Sequence, residues 1–373
     1  MKIKINRRDL LTGVQRVQGV VEKRNTMPIL AHILMETNDG KITLFATDLE
    51  IGIQGSYPAQ IIEPGRMTFS ARKLYEIIRE FPEGPVELTT QENHWVVIKS
   101  GKSYFRIVGL PPEEFPLSSP PDSQKKVFID PNLFGDLIRR TLFASGENDT
   151  RYILNGILLQ IENGHRPEKG IRFVATDGHR LALAEGSIKM EERTEEREVI
   201  VPKKAILEIK KALEEEEGEA PPELLIGKSQ LIFRKGSFVL TSRLMEGNYP
   251  NYKQVIPKGN EKKVTVGKSD LEGGLRRVSI LAREKTSAIK FCLQEGHVLL
   301  CSNNPEMGEA SEEIATSFKG EGLEAGFNAR YLLDVLGVLT GDEVTLEFKD
   351  SLSPCLIKEE PNNFLAVIMP MRV

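Results

Sequence analysis

Apolar positions along the chain switch between two spacings. Ile3 and Ile5 alternate with polar residues, the period of a half-buried strand. Leu10, Val14 and Val17 then recur every three to four residues, the period of a helix that rests one face on a core. Asn6 and Asp9 stand where a side chain can serve the unpaired N–H groups of a helix start. Strands are predicted over 29–37, 41–46 and 52–58. The same order returns at once: a strand over 66–69, a helix over 71–81 with Leu74, Ile77, Ile78 and Phe81 apolar, then strands over 86–90, 95–100 and 103–108. This stretch reads as two βαβββ halves. The pattern predicts an α+β domain with helices on one face of antiparallel sheet.

The pattern then repeats. Leu44-Phe45-Ala46-Thr47-Asp48-Leu49-Glu50 recurs as Phe173-Val174-Ala175-Thr176-Asp177-Gly178-His179, and more weakly as Leu300-Cys301-Ser302-Asn303-Asn304-Pro305-Glu306. Strand ends (Ile5, Ile129, Val266), residues before a helix (Ser70, Pro202, Asn328) and aromatic-Pro pairs (Phe115-Pro116, Tyr249-Pro250) keep nearly the same spacing. A period this long makes each copy a domain and not a solenoid turn. Pro- and Ser-rich joins over 116–126 and a Pro- and Lys-rich join over 249–263 divide the chain into domains 1–124, 125–258 and 259–373.

Charge changes the picture. The 373 residues hold 50 basic and 54 acidic side chains, net −4, which argues weakly against nucleic acid. The distribution argues the other way. The six predicted helical segments sum to +8 and the remainder to −12. Arg16, Arg140 and Arg277 occupy one repeat position. Gln15, Arg139 and Arg276 occupy the position before it, and Arg72, Lys204 and Arg330 a third, beside Lys203. Apolar positions recur because they pack on sheet. Basic positions that recur on the other face predict a surface for polyanions, whose phosphates are met without reading sequence.

Other chemistry is sparse. Gly-Lys-Ser occurs at Gly101, Gly227 and Gly267, but Val96, Pro222 and Lys262 stand where a phosphate-binding loop needs its first glycine. Three cysteines (Cys292, Cys301, Cys355) without ligand spacing predict neither a disulfide framework nor a zinc site. The opening residues lack the apolar core of a secretory leader, and the apolar run 364–371 is too short to span a bilayer, so a cytoplasmic protein is expected. Asp177-Gly178-His179-Arg180 is the densest polar cluster. It reads as a protein-binding surface, with an acid/base site at Asp177 and His179 as one alternative and a protein-only scaffold as another. Met369-Pro370-Met371 reads as a partly exposed lip after a core strand.

Leu10-Leu11, Met27-Pro28-Ile29-Leu30, Ala46-Thr47-Asp48-Leu49-Glu50, Arg151-Tyr152-Ile153-Leu154-Asn155-Gly156, Ala175 to Ala182, Phe327-Asn328 and Met369-Pro370-Met371-Arg372 carry a resemblance. Through them the chain resembles, over its whole length, the bacterial sliding clamps, the beta subunits of DNA polymerase III. The resemblance implies a head-to-tail homodimer that closes six domains into a ring, helices lining the hole and sheets outside. It implies a non-enzymatic processivity role on encircled double-stranded DNA, with no cofactor, metal or membrane. Ring opening would fall to a separate clamp-loader ATPase. Arg24, Asn148 and Tyr152 match positions near DNA, beside the basic helix residues Arg16, Arg72, Arg139, Arg140, Lys203, Lys204, Arg276 and Arg277; Asn148 is shorter than the family's usual amide. A pocket for the replicative polymerase alpha subunit and other clamp-binding-motif proteins is implied at Leu154, Thr176, Gly178, His179, Arg180, Leu181, Pro250, Val255, Asn328, Tyr331, Leu352, Met369, Pro370, Met371 and Arg372. Gln254, Thr286 and Pro354 depart from the family's Arg, Phe and Ser around it. Phe105 against Ile280 and Leu281 is the implied dimer contact.

Overall fold

The computed structural model describes residues 1–21, 27–117, 125–162, 168–189, 196–215, 221–283, 286–360 and 363–372. The first repeat runs β1 (Lys2–Asn6), α1 (Arg7–Val17), β2 (His32–Asn38), β3 (Lys41–Thr47), β4 (Ile51–Pro58), β5 (Gln60–Glu63), β6 (Arg66–Ser70), α2 (Ala71–Glu80), β7 (Pro85–Thr90), β8 (Trp95–Ser100) and β9 (Ser103–Val108). The second runs β10 (Lys125–Phe128), α3 (Pro131–Thr141), β11 (Gly156–Glu162), β12 (Glu168–Thr176), β13 (Arg180–Lys189), β14 (Arg197–Pro202), α4 (Lys203–Glu214), β15 (Glu223–Ile226), β16 (Gln230–Lys235) and β17 (Phe238–Arg243). The third runs β18 (Lys262–Gly267), α5 (Lys268–Ser279), β19 (Ala288–Gln294), β20 (His297–Asn304), β21 (Gly308–Ala315), β22 (Leu323–Asn328), α6 (Ala329–Leu336), β23 (Glu343–Phe348), β24 (Cys355–Glu359) and β25 (Phe364–Ile368).

Most predicted elements are present, and two differ. The strand expected from residue 29 starts at His32, because Pro28 opens a 3-10 turn over Pro28–Ala31. Strand β5 carries no clear alternation and was not foreseen. Asn6 caps α1 as expected, its side chain accepting from the Arg8 N–H at 2.9 Å, and Asn328 does the same for Arg330 in α6.

The two halves of each repeat trade their first strands. β1 pairs with β7, and β6 pairs with β2. The second repeat shows the same exchange in β10–β15 and β14–β11, and the third in β18–β23 and β22–β19. The described residues form two compact units, 1–131 with 207–244 and 132–206 with 245–373. The first holds a five-stranded sheet, β5-β1-β7-β8-β9, and an eight-stranded sheet, β10-β15-β16-β17-β4-β3-β2-β6. The second holds an eight-stranded sheet, β14-β11-β12-β13-β25-β24-β23-β18, and a four-stranded sheet, β21-β20-β19-β22. Helix α1 lies on β4 by way of Gly13, where a Cβ would sit 2.6 Å from the Tyr57 ring. The second repeat reverses the fit, with Gly186 at the place of Tyr57 and Leu133 filling the gap from α3.

Each eight-stranded sheet joins two repeats. β17 pairs with β4, matching Leu240 with Ile53 and Thr241 with Gly52. β25 pairs with β13, matching Ala366 with Ala182 and Val367 with Leu181. Phe238 and Phe364 open their strands after the hairpin turn, and Gly52 and Leu181 pair with Thr47 and Thr176. Counted from those landmarks, the two junctions have the same register.

Candidate functional site

The turn between β12 and β13 is built by its own side chains. Asp177 Oδ1 accepts the His179 and Arg180 backbone N–H groups, both at 2.9 Å, and Oδ2 accepts the Arg180 Nε–H at 3.0 Å. Asp48 accepts from Glu50 and Ile51 at 3.0 and 2.7 Å, and Asn304 from Glu306 at 3.1 Å. The repeated acid is therefore a turn former. The His179 ring stacks on Tyr331, centroids 6.5 Å apart. With the carboxylate spent on the turn, the geometry does not support an acid/base centre at Asp177 and His179.

Gly178 has φ +83°, and a Cβ there would lie 2.6 Å from a guanidinium nitrogen of Arg151. Glycine thus lets Arg151 cross the turn, where it donates to the Asp177 carbonyl at 2.8 Å and pairs with Asp149 at 2.8 Å. Hydrogen bonds from the Arg151 side chain and N–H hold the Asp149 carboxyl at about 2. Beneath the turn, Thr176 N–H donates to the Tyr249 hydroxyl at 3.1 Å. Burial pushes that phenol well above its ordinary value, so it stays neutral.

A pocket of about 160 Å³ opens beside this turn. Of the residues implied by resemblance, Leu154, Thr176, Gly178, Arg180, Leu181, Pro250, Val255 and Met369 line it. Arg151, Tyr252 and Val367 line it too and were missed. Val367 was readable as the residue paired with Leu181 only once β25 was known to join β13. The Met369 N–H donates to the His179 carbonyl at 2.9 Å, which ties the C-terminal lip to the turn. Arg180 lies 4.4 Å over the Tyr331 ring and pairs with Asp177 and Asp334. The remaining expected residues are not lining. Asn328 caps α6, Leu352 is 84% exposed on a turn, and Pro370 is half-buried on the lip. Met371 and Arg372 line a neighbouring groove with Thr286. Gln254 ends a 3-10 turn, and the Pro354 carbonyl accepts from Asn260.

The basic residues do not form one free surface, which corrects the expectation from charge. The Arg16 side chain is 7% exposed and pairs with Glu215. That of Arg140 is 4% exposed and pairs with Glu359 and Asp136, both at 2.7 Å. Both guanidiniums are thus buried against carboxylates. The third member of the set differs: the Arg277 side chain is 59% exposed and pairs with Glu312 at 2.6 Å. Arg72 is exposed beside Glu76, Arg276 beside Glu272, and Arg139 is partly exposed beside Asp136. Lys203 reaches the Ser145 and Gly146 carbonyls at 3.4 Å. Lys204 is half-buried, Tyr152 is exposed and Asn148 sits at φ +55°. Arg24 lies outside the described residues.

Among the described residues, two terminal strands of these sheets have repeat counterparts that are paired at a junction. β9 ends the five-stranded sheet and β21 ends the four-stranded one. They are the repeat counterparts of β17 and β25 on one side and of β4 and β13 on the other. Phe105 on β9 is 40% exposed and packs 5.6 Å from Phe81. Its neighbour Arg106 stacks 4.2 Å over Trp95. Ile280, just past α5, is 73% exposed, and Leu281 is half-buried.

Three family models match the chain in order: the N-terminal domain of the DNA polymerase III beta subunit over residues 1–119, its central domain over 128–251, and its C-terminal domain over 253–372. A beta sliding clamp of Pseudomonas putida is 37% identical, and one of Escherichia coli 34%, each with 100% of both chains covered. The crystal structure of the DNA polymerase III subunit beta from Pseudomonas aeruginosa matches with TM-score 0.92 at 36% identity, again covering 100% of both chains. A Caulobacter crescentus beta sliding clamp matches with TM-score 0.93 at 38% identity and the same coverage. Among the described residues no helix is long and apolar enough to cross a membrane.

Proposed function

The chain belongs to the DNA polymerase III beta subunit family, the bacterial sliding clamps, and from that premise we propose how it is assembled and used. It is a DNA sliding clamp that serves polymerase processivity. Its three domains, 1–124, 125–258 and 259–373, are joined by two equivalent sheet junctions. A third pair of matching edges, β9 and β21, is open. A second copy fills both: β9 of each protomer pairs with β21 of the other. The contact is head-to-tail, and closure of such a contact gives a ring. This open third junction is the observation that carries the reading.

The register follows from the two junctions already closed. Phe105 holds the place of Leu240 and Ala366, and Ala310 the place of Ile53 and Ala182. Phe105 therefore faces Ala310, a large residue against a small one, and Arg106 faces Glu309, opposite charges directly across the strands. Ile280 and Leu281 complete the apolar contact.

A closed ring holds duplex DNA by topology, so tight binding is unnecessary. Arg72, Arg139, Arg276, Arg277, Lys203 and Lys204, with Arg24, Asn148 and Tyr152, are the side chains that meet phosphates. Each exposed arginine already shares its charge with a nearby acid, which weakens any one contact and suits sliding. The pocket at Thr176, Gly178, Arg180, Leu181 and Met369 takes clamp-binding peptides of the polymerase alpha subunit and other partners in the cytoplasm. A clamp-loader ATPase opens the ring. The protein performs no chemistry and carries no cofactor. Loaded on a nicked circle, it should stay bound through a wash at about 1 M salt, where surface charges are screened within roughly 3 Å. Linearising the circle should release it. Loss at high salt from the intact circle would contradict encirclement.

A further inference from the structure

Residues at every second position of a strand share a sheet face, so the second repeat can be read in rungs. The pocket rests on the rung of Thr176, Leu181 and Val367. The next rung on that face is apolar: Ile200, Leu158, Val174 and Leu183 belong to or pack against the core cluster that also holds Tyr249 and Tyr252. The rung after it is polar. Glu198 of β14, Gln160 of β11, Arg172 of β12 and Glu185 of β13 lie directly opposite one another. Its hydrogen bonds form a directed chain. Arg172 donates to the Tyr252 hydroxyl at 3.1 Å, that hydroxyl donates to Gln160 Oε1 at 2.8 Å, and Gln160 Nε2 donates to Glu198 at 2.7 Å. The hydroxyl thus accepts once and donates once. The Arg172 guanidinium is itself held by Glu162 at 2.6 Å and by Glu185.

Tyr252 carries this rung to the pocket. It is buried, and it lines the pocket together with Pro250 and Val255 of the same short segment. Two tyrosines therefore anchor that wall: Tyr249 accepts the Thr176 N–H at the turn, and Tyr252 reaches down to the polar rung. The guanidinium is particular to this repeat. Counted from the turn residues Asp48, Asp177 and Asn304, the place of Arg172 holds Thr43 in the first repeat and Leu299 in the third. Thr43 only shares a 2.9 Å hydrogen bond with Ser56 across its rung. We propose that Arg172 is a positioning residue for peptide binding, which acts through the Tyr252 hydroxyl to hold the Pro250 to Val255 wall in its binding shape. The inference rests on the pocket reading above. A wall fixed before the peptide arrives need not be ordered when it binds, and that saving appears as affinity. Removing the arginine strands no buried charge, because Glu162 and Glu185 are both partly exposed and can be hydrated.

The test measures binding of a fluorescent peptide, selected from a random library on the full-length protein and rejected by the Val255→Asp variant. Arg172→Met and Tyr252→Phe should each weaken it about fivefold, the order of one net hydrogen bond. The double variant should also lose about fivefold, because both substitutions remove the same contact. In protein labelled with carbon-13 in its tyrosine rings, the signal that disappears in Tyr252→Phe should shift in Arg172→Met. A purely structural arginine would lower the melting temperature and leave peptide affinity unchanged, which would overturn the proposal. A loss of about twenty-fivefold in the double variant would overturn it too, since the two side chains would then act independently. So would an unshifted Tyr252 signal. Unchanged affinity in Tyr252→Phe decides against it by itself, whatever Arg172→Met does to folding. If no selected peptide is rejected by Val255→Asp, the pocket reading is wrong and the proposal falls with it.

Discussion

Arg140 and Arg277 hold the same place in their repeats and live in opposite surroundings. Arg140 sits at a closed junction, buried and held by Glu359 of β24 and Asp136 of its own helix. Arg16 is likewise buried at the other closed junction, against Glu215. Arg277 stands at the open edge, exposed and held by Glu312 of β21. One repeat position thus distinguishes a finished junction from an unfinished one. The recurring arginine, which read in the sequence as a polyanion contact, is first of all a junction residue. In the proposed assembly, the free β9 and β21 edges are where a second copy would supply what the chain supplies twice by itself.

The largest effect that could break this comparison is on stability. Arg140→Met leaves the largely enclosed Glu359, its side chain 12% exposed, without its guanidinium and should cost about 3 kcal/mol in urea unfolding. Arg277→Met should leave unfolding unchanged, and equal losses in both would erase the distinction. Next comes Ile280→Ala with Leu281→Ala, which should weaken the dimer about a hundredfold by sedimentation, from the loss of two large aliphatic side chains. A chain that still sediments as a dimer at the same concentration would remove those residues from the interface. A smaller effect sharpens the register. Arg106→Glu places like charges across the proposed strands and should weaken association about tenfold. Adding Glu309→Arg should restore most of it, and no rescue would mean a different register. The smallest effect concerns the turn at the closed β13–β25 junction. Asp149 is lowered from 3.8 to about 2 by Arg151. Its pairing is thus fully present above the ordinary value and is lost as pH falls through about 2. A carboxyl NMR titration should give that midpoint, and a midpoint near the ordinary value would mean that Arg151 does not hold the turn.

The triplication, the exchange of apolar spacings and the Asp48, Asp177 and Asn304 turns were legible because they are local or repeated. Burial of Arg16 and Arg140 was not. A recurring arginine on a helix has the same pattern whether it faces water or a carboxylate brought from another repeat, and Glu215 and Glu359 are distant in sequence. Arg151 was missed from the pocket for a related reason: its place over Gly178 depends on a positive φ and a close approach that spacing does not reveal. Phe105 reads as a core residue by alternation, and the open edge of β9 is what sets it apart.

The central claim is that β9 and β21 close between two copies in the register of the two inner junctions. Strand partners have Cα separations within the roughly 4.4–6.8 Å that a disulfide needs. The variant F105C/A310C, in a C301S background to remove the partly exposed native thiol, should therefore oxidise to a covalent dimer on a non-reducing gel. A pairing shifted by two residues, F105C with E312C, should stay largely monomeric under the same conditions. Efficient linkage of the shifted pair, or of neither pair, would contradict the account.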